Sequence, residues 1–204
     1  MPASEPARTV SDAASGAMII SEVATQLRSA LTPLTGADWS TPARDLDWTC
    51  RETAAHIADS FFAQAAQVVA RPRHDWVPAE VRTDPAAEPE QVLRAVDACA
   101  GLLRIAVATA DPELRAWHPH GAADLSGWVA MATVDGLVHA FDISAALGRD
   151  WRPPAELAGF AVERLFPSRP DHVDPVAQLL WCTGRIALPD HPRQPEWTWD
   201  PSVR

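Results

Sequence analysis

Asp135 and His139 stand four residues apart in the apolar segment ATVDGLVHAFDISAALG, and a distant His56 sits in RETAAHIADSFF. On a helix, positions i and i+4 share a face, so the pair would present a carboxylate oxygen and an imidazole nitrogen to one point. A histidine from a facing helix completes a three-ligand set. Divalent zinc or nickel accepts this mixture of nitrogen and oxygen, and three protein ligands leave a position for water or substrate, as catalytic sites require. The spacing alone is common in a chain with seven histidines and 27 acidic residues. The setting is not: Asp135 lies among Met131, Val134, Leu137, Val138 and Phe141. A carboxylate is costly to bury there unless it is paired or bound to a metal.

Three further residues are candidates for catalytic roles, each with a plainer alternative. Asp142, one turn beyond His139, reads either as a carboxylate that orients a ligand imidazole or as a solvated charge near a helix end. Arg185 in TGR reads as a bidentate clamp on a carboxylate or as half of a surface ion pair. His118, with His120 in WHPH, reads as a general acid or base at the site mouth or as a solvent-exposed loop histidine. His74, His172 and His191 lie in Pro-rich segments and carry no assignable chemistry. Cys50, Cys99 and Cys182 are odd in number and widely spaced, which argues against a disulfide framework or a thiolate zinc site and fits a reducing cytoplasm.

The elements that must position these residues read as helices. Residues 1–16 are rich in Ala, Ser and Pro and are expected to be a flexible lead-in, with order beginning near Ala17. Ile19, Val23, Leu27 and Leu31 then recur at near-helical spacing up to Pro33. A capping box of Thr49 and Glu52 opens a second helix, which carries His56 and runs to about Ala70. The Pro-rich stretch RPRHDWVPAEVRTDPAAEP is a long connection of the kind that borders binding sites. A third helix starts at Pro89, and a fourth, the most apolar, spans about Leu125 to Leu147 with Gly148 at its end. Two shorter helical stretches follow, PPAELAGFAVERLF and DPVAQLLWCTGRIAL, before a Pro- and Trp-rich tail at 191–204. No alternating β-branched run is long enough for a sheet. The expected architecture is an all-α, up-down helical bundle at 17–190 with a C-terminal extension.

Charge and length narrow the partners. A chain of 204 residues supports one well-formed core. A formal net charge of −10 disfavours nucleic acid and anionic membrane. The N-terminus has no secretory pattern, and no apolar run reaches the ~18 residues of a membrane span. The expected partner is a small-molecule substrate, with the chain a monomer or homodimer in the cytoplasm.

Two segments carry a resemblance. WTCRETAAHIAD and DGLVHAFDISAALGRDW, in that order, resemble the histidine and carboxylate-x3-histidine segments of the DinB-like metal-binding superfamily. The nearer likeness is to its mycothiol-dependent maleylpyruvate isomerase N-terminal-domain branch, which LLWCTGRIALP also resembles. The resemblance covers roughly residues 17 to 190. It implies a four-helix core holding a divalent metal, zinc before nickel, through His56, Asp135 and His139. It further implies a low-molecular-weight thiol, mycothiol foremost, as co-substrate. Asp135 departs from the Glu of better-known isomerase members and reaches one methylene less. The chain also reads as too short for the complete additional C-terminal domain of the two-domain isomerases, which weighs against maleylpyruvate as substrate.

The expected function is thus that of a metal-dependent thiol transferase or isomerase acting on a small electrophile. A thiol-independent, metal-assisted isomerase or cyclase of secondary metabolism and a non-catalytic ligand-binding bundle remain open beside it.

Overall fold

Asp12 caps the first helix, its Oδ1 accepting from the Ser15 N–H at 2.8 Å. The computed structural model describes residues 12–203, in which α1 runs Ala13–Leu31, earlier than the expected start at Ala17. The rest of the expected lead-in, residues 1–11, lies outside the described residues. In α2 (Cys50–Ala70) the Thr49–Glu52 capping box is present: Thr49 Oγ1 accepts from the Glu52 N–H and Glu52 Oε2 from the Thr49 N–H. Arg71 ends it in a left-handed conformation ahead of Pro72. Then come α3 (Pro89–Ala108), α4 (Leu125–Ala146), α5 (Ala155–Leu165) and α6 (Pro175–Cys182). Asp124 caps α4 by accepting from the Gly127 N–H, and Gly148 supplies the left-handed residue beyond its end at φ 77°. Among the described residues the remaining backbone pairings are isolated bridges, with no strand.

The first four helices form the bundle. α1 and α2 each pack on both α3 and α4, so α1 and α2 lie diagonally opposite, and α5 and α6 add a layer beside α4. Trp39, Phe61, Leu103, Trp128 and Leu137 are among the fully buried side chains. Each contributes roughly 1.5–3 kcal/mol by leaving water.

Because α4 is covered by α1, α2 and α5, it must be apolar on most sides, which is why its sequence shows no single stripe. By length and composition it is a candidate membrane span, beyond what the sequence reading allowed. Of its most apolar window, 78% is buried inside the bundle, as in the core helix of a globular fold. Gly136 lets α4 come close to its neighbours: a Cβ there would stand 2.8 Å from Val23 Cγ1 of α1 and 3.2 Å from Phe61 Cζ of α2.

The C-terminal tail folds back on the bundle. Arg164 Nη2 donates to the Pro201 carbonyl, the Asp200 N–H donates to the Leu165 carbonyl, and Ala123 and Ser202 form a bridge.

Candidate metal centre

The close packing of α2 on α4 brings His56 against Asp135 and His139. One donor atom from each lies within 4.8 Å of the other two, and the two imidazoles meet edge to face at 5.1 Å between centroids. Asp135 is buried at 9% exposure. Its Oδ2 accepts from Ser60 Oγ at 2.5 Å and from Gln64 Nε2 at 2.9 Å, both from α2. With Oδ2 saturated in this way, Oδ1 is the oxygen left to meet a cation.

The histidines suit ligation as well. Burial lowers the pKa of His56, the neighbouring His139 lowers it further, and Asp135 and Asp59 oppose both without reversing the net fall. His56 is therefore neutral at pH 7, the form that binds metals. His139 Nδ1 lies 3.4 Å from Asp142 Oδ2, buried but outside hydrogen-bonding geometry. Its other ring nitrogen remains available. Two imidazoles and one carboxylate with a single unshared oxygen fit a divalent ion of the zinc or nickel type.

Asp142 and Arg185 form the layer behind His139. Arg185 Nη2 donates to Asp142 Oδ2 at 2.8 Å, Nε lies 3.3 Å from both carboxylate oxygens, and Nη1 donates to the Thr183 carbonyl at 2.6 Å. Burial pushes the Asp142 carboxyl upward, but His139 and Arg185 beside it hold it below the ordinary 3.8. Arg185 is thus not half of a surface ion pair: it turns inward and holds the Asp142 carboxylate through Nη2.

His118 is placed elsewhere. It packs against Trp76, Trp128 and Trp199, and its Nδ1 accepts from the His120 N–H at 3.2 Å. Trp128 precedes Asp135 by two helical turns, or about 10 Å along α4. His118 is also buried rather than exposed, and burial, with a smaller effect from His120, lowers its pKa to about 4. The cysteines are free and buried, and burial drives Cys50 to about 11 and Cys182 to about 12, well away from thiolate chemistry.

A groove of about 360 Å3 fronts His56, bordered by Trp48, Glu52, Asp59, Glu80 and Val81. Trp48 stacks 4.9 Å from the His56 ring and leaves nearly half its surface to solvent. The Pro-rich connection forms the far wall and is pinned by α2. Asp59 Oδ1 accepts from the Val81 N–H, while Gln67 donates to the Asp75 and Trp117 carbonyls and accepts from the Val77 N–H. The sequence did not single out Ser60, Gln64 or Trp48. Ser60 and Gln64 fall at i+4 and i+8 from His56, so the face of α2 that carries the histidine already contained them.

The family model described as the mycothiol maleylpyruvate isomerase N-terminal domain matches residues 20–144, a span that includes α2, α3 and all three candidate ligands. No curated protein and no solved structure matches the chain.

Proposed function

The chain belongs to the mycothiol maleylpyruvate isomerase N-terminal domain family, and from that premise we propose that it is a divalent-metal-dependent thiol transferase or isomerase acting on a small electrophile. The observation that carries this reading is the convergence of His56, Asp135 and His139 with one carboxylate oxygen left unshared. When bound, zinc or nickel supplies Lewis acidity that acidifies a thiol, mycothiol foremost, or polarises a carbonyl.

The chain's own residues do the positioning. His56 stays neutral and keeps a lone pair for ligation, and Ser60 and Gln64 hold Asp135 by one oxygen so that the other points consistently. Asp142, held by Arg185, stands behind His139 with its Oδ2 3.4 Å from the ring's Nδ1. Trp48 limits water on one side of the histidines, and the groove beyond it admits a small molecule. In the addition form of the reaction the thiol S–H breaks and its proton goes to solvent, a sulfur–carbon bond forms at one carbon of an activated alkene as the π bond opens, and the other carbon takes up a proton. A transferase ends there, and an isomerase loses that proton again, re-forms the double bond and expels the thiol.

The test is calorimetry of mycothiol binding in buffers of different ionisation enthalpy, on zinc-loaded and metal-stripped protein. Proton release confined to the loaded form is expected, and a His56→Ala/His139→Ala double variant should hold no stoichiometric zinc. Proton-neutral binding that is the same in both forms would transfer the assignment to a thiol-independent enzyme or a ligand-binding bundle.

A further inference from the structure

A second cleft, of about 340 Å3, is bordered by Asp142 but by none of the three candidate ligands. Its charged residues are Arg44, Asp45, Asp142, Arg185 and Arg193. Three guanidiniums against two carboxylates leave a surplus of one positive charge, in a chain whose net charge is −10. Both carboxylates are already engaged. Asp142 is held by Arg185, and Asp45 by Arg193 at 2.7 Å and more loosely by Arg44 at 3.8 Å.

Arg44 is the informative member. Its backbone is left-handed at φ 54°, a conformation that residues with a Cβ seldom hold unless their surroundings impose it. The guanidinium lies over the Phe141 ring, its Cζ 4.9 Å from the ring centre. Its Nη1 is buried and has no hydrogen-bond partner among the described residues. Buried donors in native folds are nearly always satisfied, and the rest of the Arg44 side chain, 28% exposed, lines the cleft. Arg185, 9% exposed at its side chain, spends one N–H of Nη1 on Thr183 and one of Nη2 on Asp142, so each nitrogen keeps a second N–H. Trp197 closes the cleft over Arg185 at 5.8 Å from its ring.

We propose that this cleft binds the carboxylate or phosphate group of a small molecule, with Arg44 as principal donor and Arg185 and Arg193 beside it. An oxyanion that accepts through two oxygens matches guanidinium forks. The inference requires no metal in the triad, so its failure and the failure of the proposed function are separable.

The experiment titrates inorganic phosphate and malonate into metal-stripped full-length protein, followed by calorimetry. Saturable binding of at least one probe is expected. Arg44→Gln should weaken it about tenfold, or ~1.4 kcal/mol. Arg44→Lys, which keeps the charge but not the fork, should weaken it less. His56→Ala should leave it unchanged. Stronger binding of malonate marks a carboxylate ligand, and stronger binding of phosphate a phosphate ester. Circular dichroism checks each variant, and Arg193→Gln reads the same cleft if Arg44→Gln does not fold. The proposal is overturned if wild-type protein binds neither probe, or if wild type and folded variants bind alike. It is equally overturned if binding appears only with zinc and disappears in His56→Ala, which would place the anion at the triad.

Discussion

Arg185 and Asp142 meet in the interior, Nη2 to Oδ2 at 2.8 Å, with side chains 9% and 2% exposed. A pair sealed from water in this way gains little net stability over an apolar substitute, yet leaving one partner alone strands a buried charge. Arg185→Met is therefore expected to cost about 3–5 kcal/mol, and Arg185→Met/Asp142→Leu to recover most of it. Urea unfolding of the two single variants and the double variant checks this. A double-variant loss equal to the sum of the two single losses would mean that the pair does not act as a unit.

Ser60 and Gln64 saturate one oxygen of Asp135. Ser60→Ala/Gln64→Leu should let the carboxylate rotate and lower zinc affinity about 10–100-fold, with α-helical content unchanged. Competition against a chromophoric chelator measures the affinity. Unaltered zinc binding would reduce the two residues to packing.

His118 makes stability depend on pH. Its pKa is about 4 in the fold against an ordinary 6.5, so between these values the unfolded chain takes up a proton that the folded chain refuses. Stability should fall as pH drops from about 6.5 to about 4 and be indifferent to this residue above that window. His118→Gln keeps an acceptor for the His120 N–H and should flatten that part of the curve. Unfolding midpoints of variant and wild type at pH about 7 and about 5 give the comparison; parallel shifts in the two proteins would count against it.

The helices were legible in the sequence because their punctuation is local. The Thr49–Glu52 box, Pro89 at the first turn of α3 and Gly148 beyond α4 each act within a turn of the residues they punctuate. The start of α1 was read late because Ala and Ser mimic a loose lead-in, and the Asp12–Ser15 cap that starts the helix carries no apolar periodicity. Asp135 and His139 were legible as a pair because helical spacing alone sets them on one face. Pairings across elements were not legible. That Arg185 turns inward to Asp142, that His118 is walled in by tryptophans, and that Arg44 lies over Phe141 all depend on how the connections fold back over the bundle. No spacing rule encodes that.

Gly136 stands beside Asp135, where α4 comes within a methyl group's reach of Val23 and Phe61. Two of the three donors thus ride on a rod whose seat is cut by apolar side chains, while the third rides on α2. The span between them is a matter of fit among hydrocarbons that meet no ion. Trading a methyl at Val23 would change that span while leaving all three side chains in place, so the geometry offered to a cation is set partly in the core.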